Sequence, residues 1–303
     1  MKSAPEAALA LGTSAWSYED WRGVFYPEKL AQSRLLAWYA EHFGAVEVDS
    51  TFYHSPSAKA TARWAGETPP EFIFTTKLVR TITHERRLRE SDELLAHYLK
   101  GLEPLGEKLG VVLVQLPPGF RPTSDGEALE RFVERLPEGW RFAVEFRDRA
   151  WEVERYVACL AQHRVAWAWA DTTPFEPDAG SDSPEAGKNG GPQWTPAGMP
   201  TPETAPFAYV RLLGDLSTKY DAGGKRRIER YDHIRWPRDA ALAAWAARIA
   251  QALRGGMPVY CFAANHFEGC SPLTVERLAR ELGRPVSFPR PEAGSEGGQL
   301  GLF

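Results

Sequence analysis

Seven polar side chains stand out because they interrupt short, strongly apolar runs: Glu47 and Asp49, then Lys77, then Gln115, then Glu145 and Arg147, then Arg211. Strand residues two apart face the same way, so Glu47 shares a face with Asp49, and Glu145 with Arg147. Charges among apolar strands are costly unless they pair or serve a ligand. Two explanations stay open, an ion-pair network that closes a barrel and a site for a polar, anionic ligand. In a site, Arg147, Arg211 and Lys77 hold an anionic group such as a phosphate, because guanidinium offers a planar fork of donors. Gln115 and Asp49 line the same mouth. Glu145 or Glu47 then serves as general acid or base, tuned by the neighbouring cations, and Lys77 joins them as a catalytic candidate.

A divalent cation is a second option, with Asp49, Glu145, Asp171 and His266 as hard-cation candidates. The spacing gives it little support. Only His54, His84 and His266 fall just past the apolar runs, and no H-x-x-x-H or H-E-x-x-H pattern occurs. Aromatic residues crowd the first run (Trp16, Tyr18, Trp21, Phe25, Tyr26) and follow the second (Phe52, Tyr53). They read either as a hydrophobic cap or as a stacking wall for a sugar ring or a base. Trp16, Tyr18, Tyr53 and, after the last run, Asn265 complete the ligand-binding candidates.

The elements that must position these residues are legible as a rhythm. Eight apolar runs cover 9–16, 45–53, 71–79, 111–116, 141–147, 165–171, 207–213 and 258–265. Each suits a strand buried on both faces. Amphipathic stripes lie between most of them. Ser33 is placed to cap one helix, with Leu36, Tyr39, Ala40 and Phe43 on its face; Ser271-Pro272 opens the last one and Gly283 ends it. Alternation predicts a parallel α/β sheet, and eight repeats predict a single (β/α)8 TIM-like barrel over residues 9–288, after an N-terminal extension at 1–8. A doubly wound open sheet is the alternative. A Pro/Gly-rich stretch at 173–206 reads as an insertion after the sixth strand, and 289–303 as a flexible tail.

The 303 residues carry 36 Lys+Arg against 40 Asp+Glu, a formal charge of -4. That balance gives no overall basic field for non-specific nucleic-acid binding. Three cysteines without a C-x-x-C pair, an N-terminus unlike a signal peptide and no long apolar span predict a cytoplasmic protein that makes no use of a membrane.

Several local sequences resemble the domain of unknown function 72 family (YecE-like). They are GTSAWSYEDWRGVFYP from Gly12, VEVDSTFYHSP from Val46, FIFTTKLVRTITHERRL from Phe72, VQLPPGF from Val114, VEFRDRAW from Val144, YVRLLG from Tyr209 and NHFEGCSP from Asn265. The resemblance implies a TIM-like barrel, distantly similar to the xylose isomerase and endonuclease IV barrels, and no established reaction. Leu213, Ala264 and His266 stand where the family usually has His, Asn and Asp.

Gln299, Leu300, Gly301, Leu302 and Phe303 resemble the short peptide by which bacterial repair and replication proteins bind the DNA sliding clamp. Gln299, Leu300, Leu302 and Phe303 carry that likeness, and Gly301 departs from the usual Ser or Asp. Three functions remain open at this stage. One is an enzyme acting on a phosphate-containing substrate, nucleic acid among the options, and recruited to DNA by this peptide. The others are a sugar isomerase or epimerase and a non-catalytic DNA-repair adaptor.

Overall fold

A computed structural model describes residues 8–172, 202–214 and 230–289. Only 202–206 of the predicted insertion fall within it, and the tail from 290 onward, with Gln299, Leu300, Leu302 and Phe303, lies outside the described residues.

The strands are β1 (Leu9–Ser14), β2 (Ala45–Val48), β3 (Ile73–Lys77), β4 (Leu109–Gln115), β5 (Phe142–Glu145), β6 (Ala166–Trp167), β7 (Trp169–Asp171), β8 (Ala208–Leu212) and β9 (Val259–Ala263). Every pairing is parallel, in the order β6-β5-β4-β3-β2-β1-β9-β8-β7. The ninth strand arises because the sixth apolar run is split. β6 pairs with β5 and β7 with β8, so the two edges of the sheet are consecutive pieces of one segment. Ala168, between them, still donates its N–H to Val144 O at 2.9 Å. The split has a local cause: Thr204 Oγ1 accepts from Trp167 N at 2.7 Å and donates to Val165 O at 2.6 Å, taking the main-chain groups a neighbouring strand would use. Topology and closure are those of a TIM-like barrel.

Inside the cylinder, Ala45, Val111, Leu113, Ala143, Ala166, Ala168, Phe207, Tyr209 and Phe262 form one apolar cluster. Small residues face large ones there, as a narrow barrel requires. Gly12 serves the same crowding, since a Cβ at that position would lie 1.8 Å from Ala45 O. A larger cluster fills the layer between strands and helices.

The helices α1 (Leu35–His42), α2 (Ala58–Gly66), α3 (Asp92–Leu102), α4 (Pro122–Glu134), α5 (Glu154–Gln162), α6 (Asp239–Arg254), α7 (Asn265–Glu268) and α8 (Ser271–Glu281) surround the sheet. Ser33 does not cap α1; it sits in a 3-10 turn, Gln32–Arg34, that leads into the helix, whose first boundary has no side-chain cap. α8 opens at Ser271-Pro272 and is followed by Gly283 at φ 68°, as the sequence pattern predicts. Among the described residues no helix is long and apolar enough to cross a membrane.

Candidate functional site

Inward-facing positions continue the interior cluster upward by twos: Ala45 to Glu47, Leu113 to Gln115, Ala143 to Glu145 and Tyr209 to Arg211. Register aligns them, pairing Ser14 with Glu47 and Gln115 with Glu145. The last residues of the strands therefore form a polar tier at the C-terminal mouth.

At its centre Arg211 is 2% exposed, and Glu47 and Glu145 are fully buried. Arg211 grips Glu47 with two parallel bonds, Nε to Oε2 at 2.8 Å and Nη2 to Oε1 at 2.5 Å, and donates through Nη1 to Glu145 Oε2. Ser14 Oγ donates to Glu47 Oε1 at 2.9 Å and Tyr209 Oη to Glu47 Oε2 at 2.6 Å, giving that carboxylate four donors in all. Glu145 Oε1 accepts from Gln115 Nε2 at 2.9 Å and pairs with Arg147 Nη2 at 2.7 Å. Burial alone would raise the Glu145 carboxyl, but the Arg147 and Arg211 guanidiniums outweigh it and hold it at about 2. Burial pushes Arg211 down, yet Glu145, Glu47 and Asp49 carry it well above the usual arginine range. Glu145 is thus ionised near neutral pH with both oxygens engaged. That is a poor general acid or base, and its evident work is to fix two guanidiniums.

Around this closed centre lies an open rim. Arg147 makes the Glu145 pair and no hydrogen bond among the described residues, with its side chain 18% exposed. Lys77 Nζ is 3.7 Å from Asp49 Oδ1 and 4.2 Å from the centroid of Phe52, again with no hydrogen bond. Asp49, in the turn after β2, also approaches Arg211 Nη2 at 3.8 Å; its buried Oδ1 has no hydrogen-bond partner among the described residues. His84 closes the rim, its ring 4.9 Å from Phe52 and its Nδ1 2.9 Å from Thr83 Oγ1. Burial, then Lys77, Arg80 and Arg147, lower His84 to about 4, so it is neutral at pH 7.

The chain between β3 and α3 that carries His84 is unusual. It makes a π-helical turn at Thr81–Glu85, then holds Arg87, Leu88 and Glu90 at positive φ of 52°, 64° and 45°. Left-handed non-glycine residues persist only where surroundings enforce them. Here buried Asp125 binds both Arg87 and Arg89, at 2.5 and 3.0 Å.

Other expected residues lie elsewhere. Asp171 has the parity of Trp167 and Trp169 and faces outward, accepting from Trp245 Nε1 of α6 at 2.7 Å. His266 Nε2 lies 3.2 Å from Tyr231 Oη. The expected cation set Asp49, Glu145, Asp171 and His266 is therefore not assembled, and the described residues contain no group of three such ligands fit to hold a metal. Asn265 is 3% exposed, its Oδ1 accepting from Trp21 Nε1, Ser271 N and Ser271 Oγ, so it braces the β9–α8 turn. Of the first-run aromatics, Trp21, Phe25 and Tyr26 are core. Trp16 packs edge-on to Trp64 and Tyr18 against Trp21, and both are half-buried. Tyr53, 62% exposed, is the large aromatic with an open face among the described residues. Sequence reasoning missed Ser14 and Tyr209; it named Phe52 as part of a possible stacking wall and His84 as lying just past an apolar run, but gave neither a ligand-binding role.

Known proteins give the same picture of the fold. The family model described as protein of unknown function DUF72 matches residues 10–295. The UPF0759 protein YecE of Escherichia coli K12 is 32% identical over 141 residues, 46% of this chain and 48% of its own. YunF of Bacillus subtilis is 28% identical over 181 residues, 58% of this chain and 63% of its own. The aligned part thus spans about half of YecE and under two thirds of YunF. Crystal structures agree over more of the chain. A DUF72 family protein from Thermotoga maritima superimposes with TM-score 0.72 at 27% identity, covering 91% of this chain and 99% of its own. One from Enterococcus faecalis gives 0.69 at 18% identity, covering 93% and 97%, and speaks to the fold alone. With the family pattern running from the first strand past the last helix, this chain belongs to the DUF72 family.

Proposed function

We propose that the barrel mouth binds a small ligand with an anionic, phosphate-type group, seated on Arg147 and Lys77 above the Glu47–Arg211–Glu145 centre. The observation that carries this reading is the uneven pairing of the mouth. The central carboxylates have their donors, whereas the side-chain nitrogens of Arg147 and Lys77 each lean on one carboxylate and make no hydrogen bond among the described residues. The centre holds two negative charges and one positive; the rim holds two positive and one negative. A rim of that sign attracts an anion, and a guanidinium offers several N–H donors in one plane to a phosphate-type group. Unpartnered Asp49 Oδ1 suits a hydroxyl beside the anion, as in a phosphosugar or a nucleotide.

Calorimetric titration with inorganic phosphate, ribose 5-phosphate and a nucleoside monophosphate tests the reading. Saturable binding to the wild type, at least about ten-fold weaker in Arg147→Met, is expected, since a charge-assisted bond contributes about 1.5–3 kcal/mol. Equal binding by the two proteins sinks it.

The same proposal extends to recruitment: Gln299, Leu300, Leu302 and Phe303 would dock on the DNA sliding clamp and bring the barrel to DNA. Its support is the peptide sequence, with two apolar residues and a polar anchor at set spacing, a pattern suited to an apolar groove. Purified clamp should bind the full chain and lose it in Leu302→Ala/Phe303→Ala; equal binding by both chains removes recruitment and leaves the mouth reading untouched.

A further inference from the structure

Lys77 differs from the other cations of the mouth in what surrounds its nitrogen. It lies over an aromatic face, 4.2 Å from the Phe52 centroid, and its nearest carboxylate oxygen is 3.7 Å away, beyond hydrogen-bond reach. The side chain is 12% exposed, so an incoming group can touch Nζ while bulk water solvates it poorly. Burial, helped by Arg211, disfavours the ammonium more than Asp49, Glu47 and Glu145 favour it, and lowers the group below the ordinary lysine range. A proton acceptor stands beside it in Asp49 Oδ1, which has no hydrogen-bond partner among the described residues. A desolvated amine with a neighbouring cation and a nearby base is the setting in which lysine becomes a nucleophile toward carbonyls.

We propose that Lys77 forms an imine with the carbonyl carbon of a small phosphorylated aldehyde or ketone whose phosphate rests on Arg147. This rests on the anion reading above, which it deepens by naming the ligand's second functional group. The placement follows from the chain of ion pairs that joins the two cations: Lys77 to Asp49, Asp49 to Arg211, Arg211 to Glu145 and Glu145 to Arg147.

The chemistry balances without a cofactor. Lys77 gives one proton to Asp49, and its free lone pair attacks the carbonyl carbon, forming C–N as the C=O π pair moves to oxygen. A proton passes from the new N–H group to that oxygen, giving a carbinolamine. Asp49 returns its proton to the hydroxyl, which leaves as water as the nitrogen lone pair forms C=N. One ammonium and one carbonyl become one protonated imine and one water, with no change of oxidation state. Neutral His84, hydrogen-bonded to Thr83, adds no like charge to the departing proton's path.

The test uses the full chain with glyceraldehyde 3-phosphate and sodium cyanoborohydride, followed by peptide mapping. Lys77 should be labelled at least about ten-fold faster than exposed Lys59 and Lys100, because a phosphate seated on Arg147 would hold the carbonyl against Nζ. Inorganic phosphate should slow labelling at Lys77 and leave Lys59 unchanged. A second measurement needs no ligand: reductive methylation with formaldehyde across pH should give Lys77 a midpoint below the ordinary lysine range. Lys77→Arg, which keeps the charge, should remain folded by circular dichroism and lose only the fast label. Labelling at Lys77 no faster than at Lys59, or a Lys77 midpoint within the ordinary lysine range, overturns the proposal. If phosphate meanwhile binds with the expected dependence on Arg147, the covalent step alone has failed and the anion reading stands.

Discussion

The centre and the rim of the mouth are built from the same residue types, yet one is closed and the other open. Arg211 sits between two buried glutamates with its donors aimed at their oxygens. A few ångströms outward, Lys77 and Arg147 hold one carboxylate apiece and Asp49 keeps an oxygen without a hydrogen-bond partner. Depth explains the difference. A buried charge must be matched by geometry, because water cannot do it, whereas a rim charge can wait for a ligand or solvent. The centre is therefore a foundation and the rim a surface for recognition, and each can be attacked separately.

Removing the central cation should have the largest effect. Arg211→Met leaves Glu47 and Glu145 buried without their shared partner, and a loss of about 3–5 kcal/mol in urea unfolding is expected. Arg147→Met should lose less, because Glu145 keeps Arg211 and Gln115 as partners. Equal losses would abolish the distinction between centre and rim.

Acid should break the centre next. The folded protein holds Glu145 at about 2, below its ordinary 4.5. A lowered carboxyl contributes stability that is fully present above the ordinary value and disappears as pH falls through the folded one. Wild-type stability should therefore decline between pH 4.5 and pH 2 by an amount that Glu145→Gln does not share. Parallel declines in chemical unfolding at pH 5, 4 and 3 would show that Glu145 is not the group held down.

Much of this mouth was readable from spacing, because strand alternation is a local rule: Glu145 follows Ala143 inward just as Arg211 follows Tyr209. Alternation also held a message that went unread. In Val165-Ala-Trp-Ala-Trp-Ala-Asp171, small residues take the crowded interior and large ones the helical layer, which sends Asp171 outward to Trp245. Ser14 and Tyr209 were invisible for another reason. Their polar partner is Glu47, which for Tyr209 lies 162 residues away, and only closure of the cylinder brings them together. The split of the sixth strand depends likewise on Thr204, 37 residues beyond Trp167. The left-handed run at Arg87, Leu88 and Glu90 has no local sequence signal, since none of these residues favours positive φ. It depends on Asp125 in a later helix.

A smaller effect sharpens the sign of the rim. Asp49→Asn removes the rim carboxylate that pairs with Lys77. Inorganic phosphate should then bind up to about five-fold more tightly, the scale of a partly screened charge worth about 1 kcal/mol. Unchanged or weaker binding in the same calorimetric titration would place the anion away from Asp49.

The finest test reads the rim's field without any ligand. His84 is held at about 4 by burial, then by Lys77, Arg80 and Arg147, although the imidazole is only half-buried. An imidazole lowered in this way favours folding while neutral, and that contribution fades as pH falls from the ordinary 6.5 toward 4. In NMR titration the His84 ring should stay neutral down to about pH 5. Lys77→Met removes the cation that lowers His84 most and should move the His84 midpoint upward, whereas Arg238→Met, paired with Asp171 on the outer side of the barrel, should leave it in place. An unmoved midpoint in Lys77→Met would mean that burial alone holds His84 neutral, and that the positive field assigned to the rim is too weak to be felt even by the ring beside it.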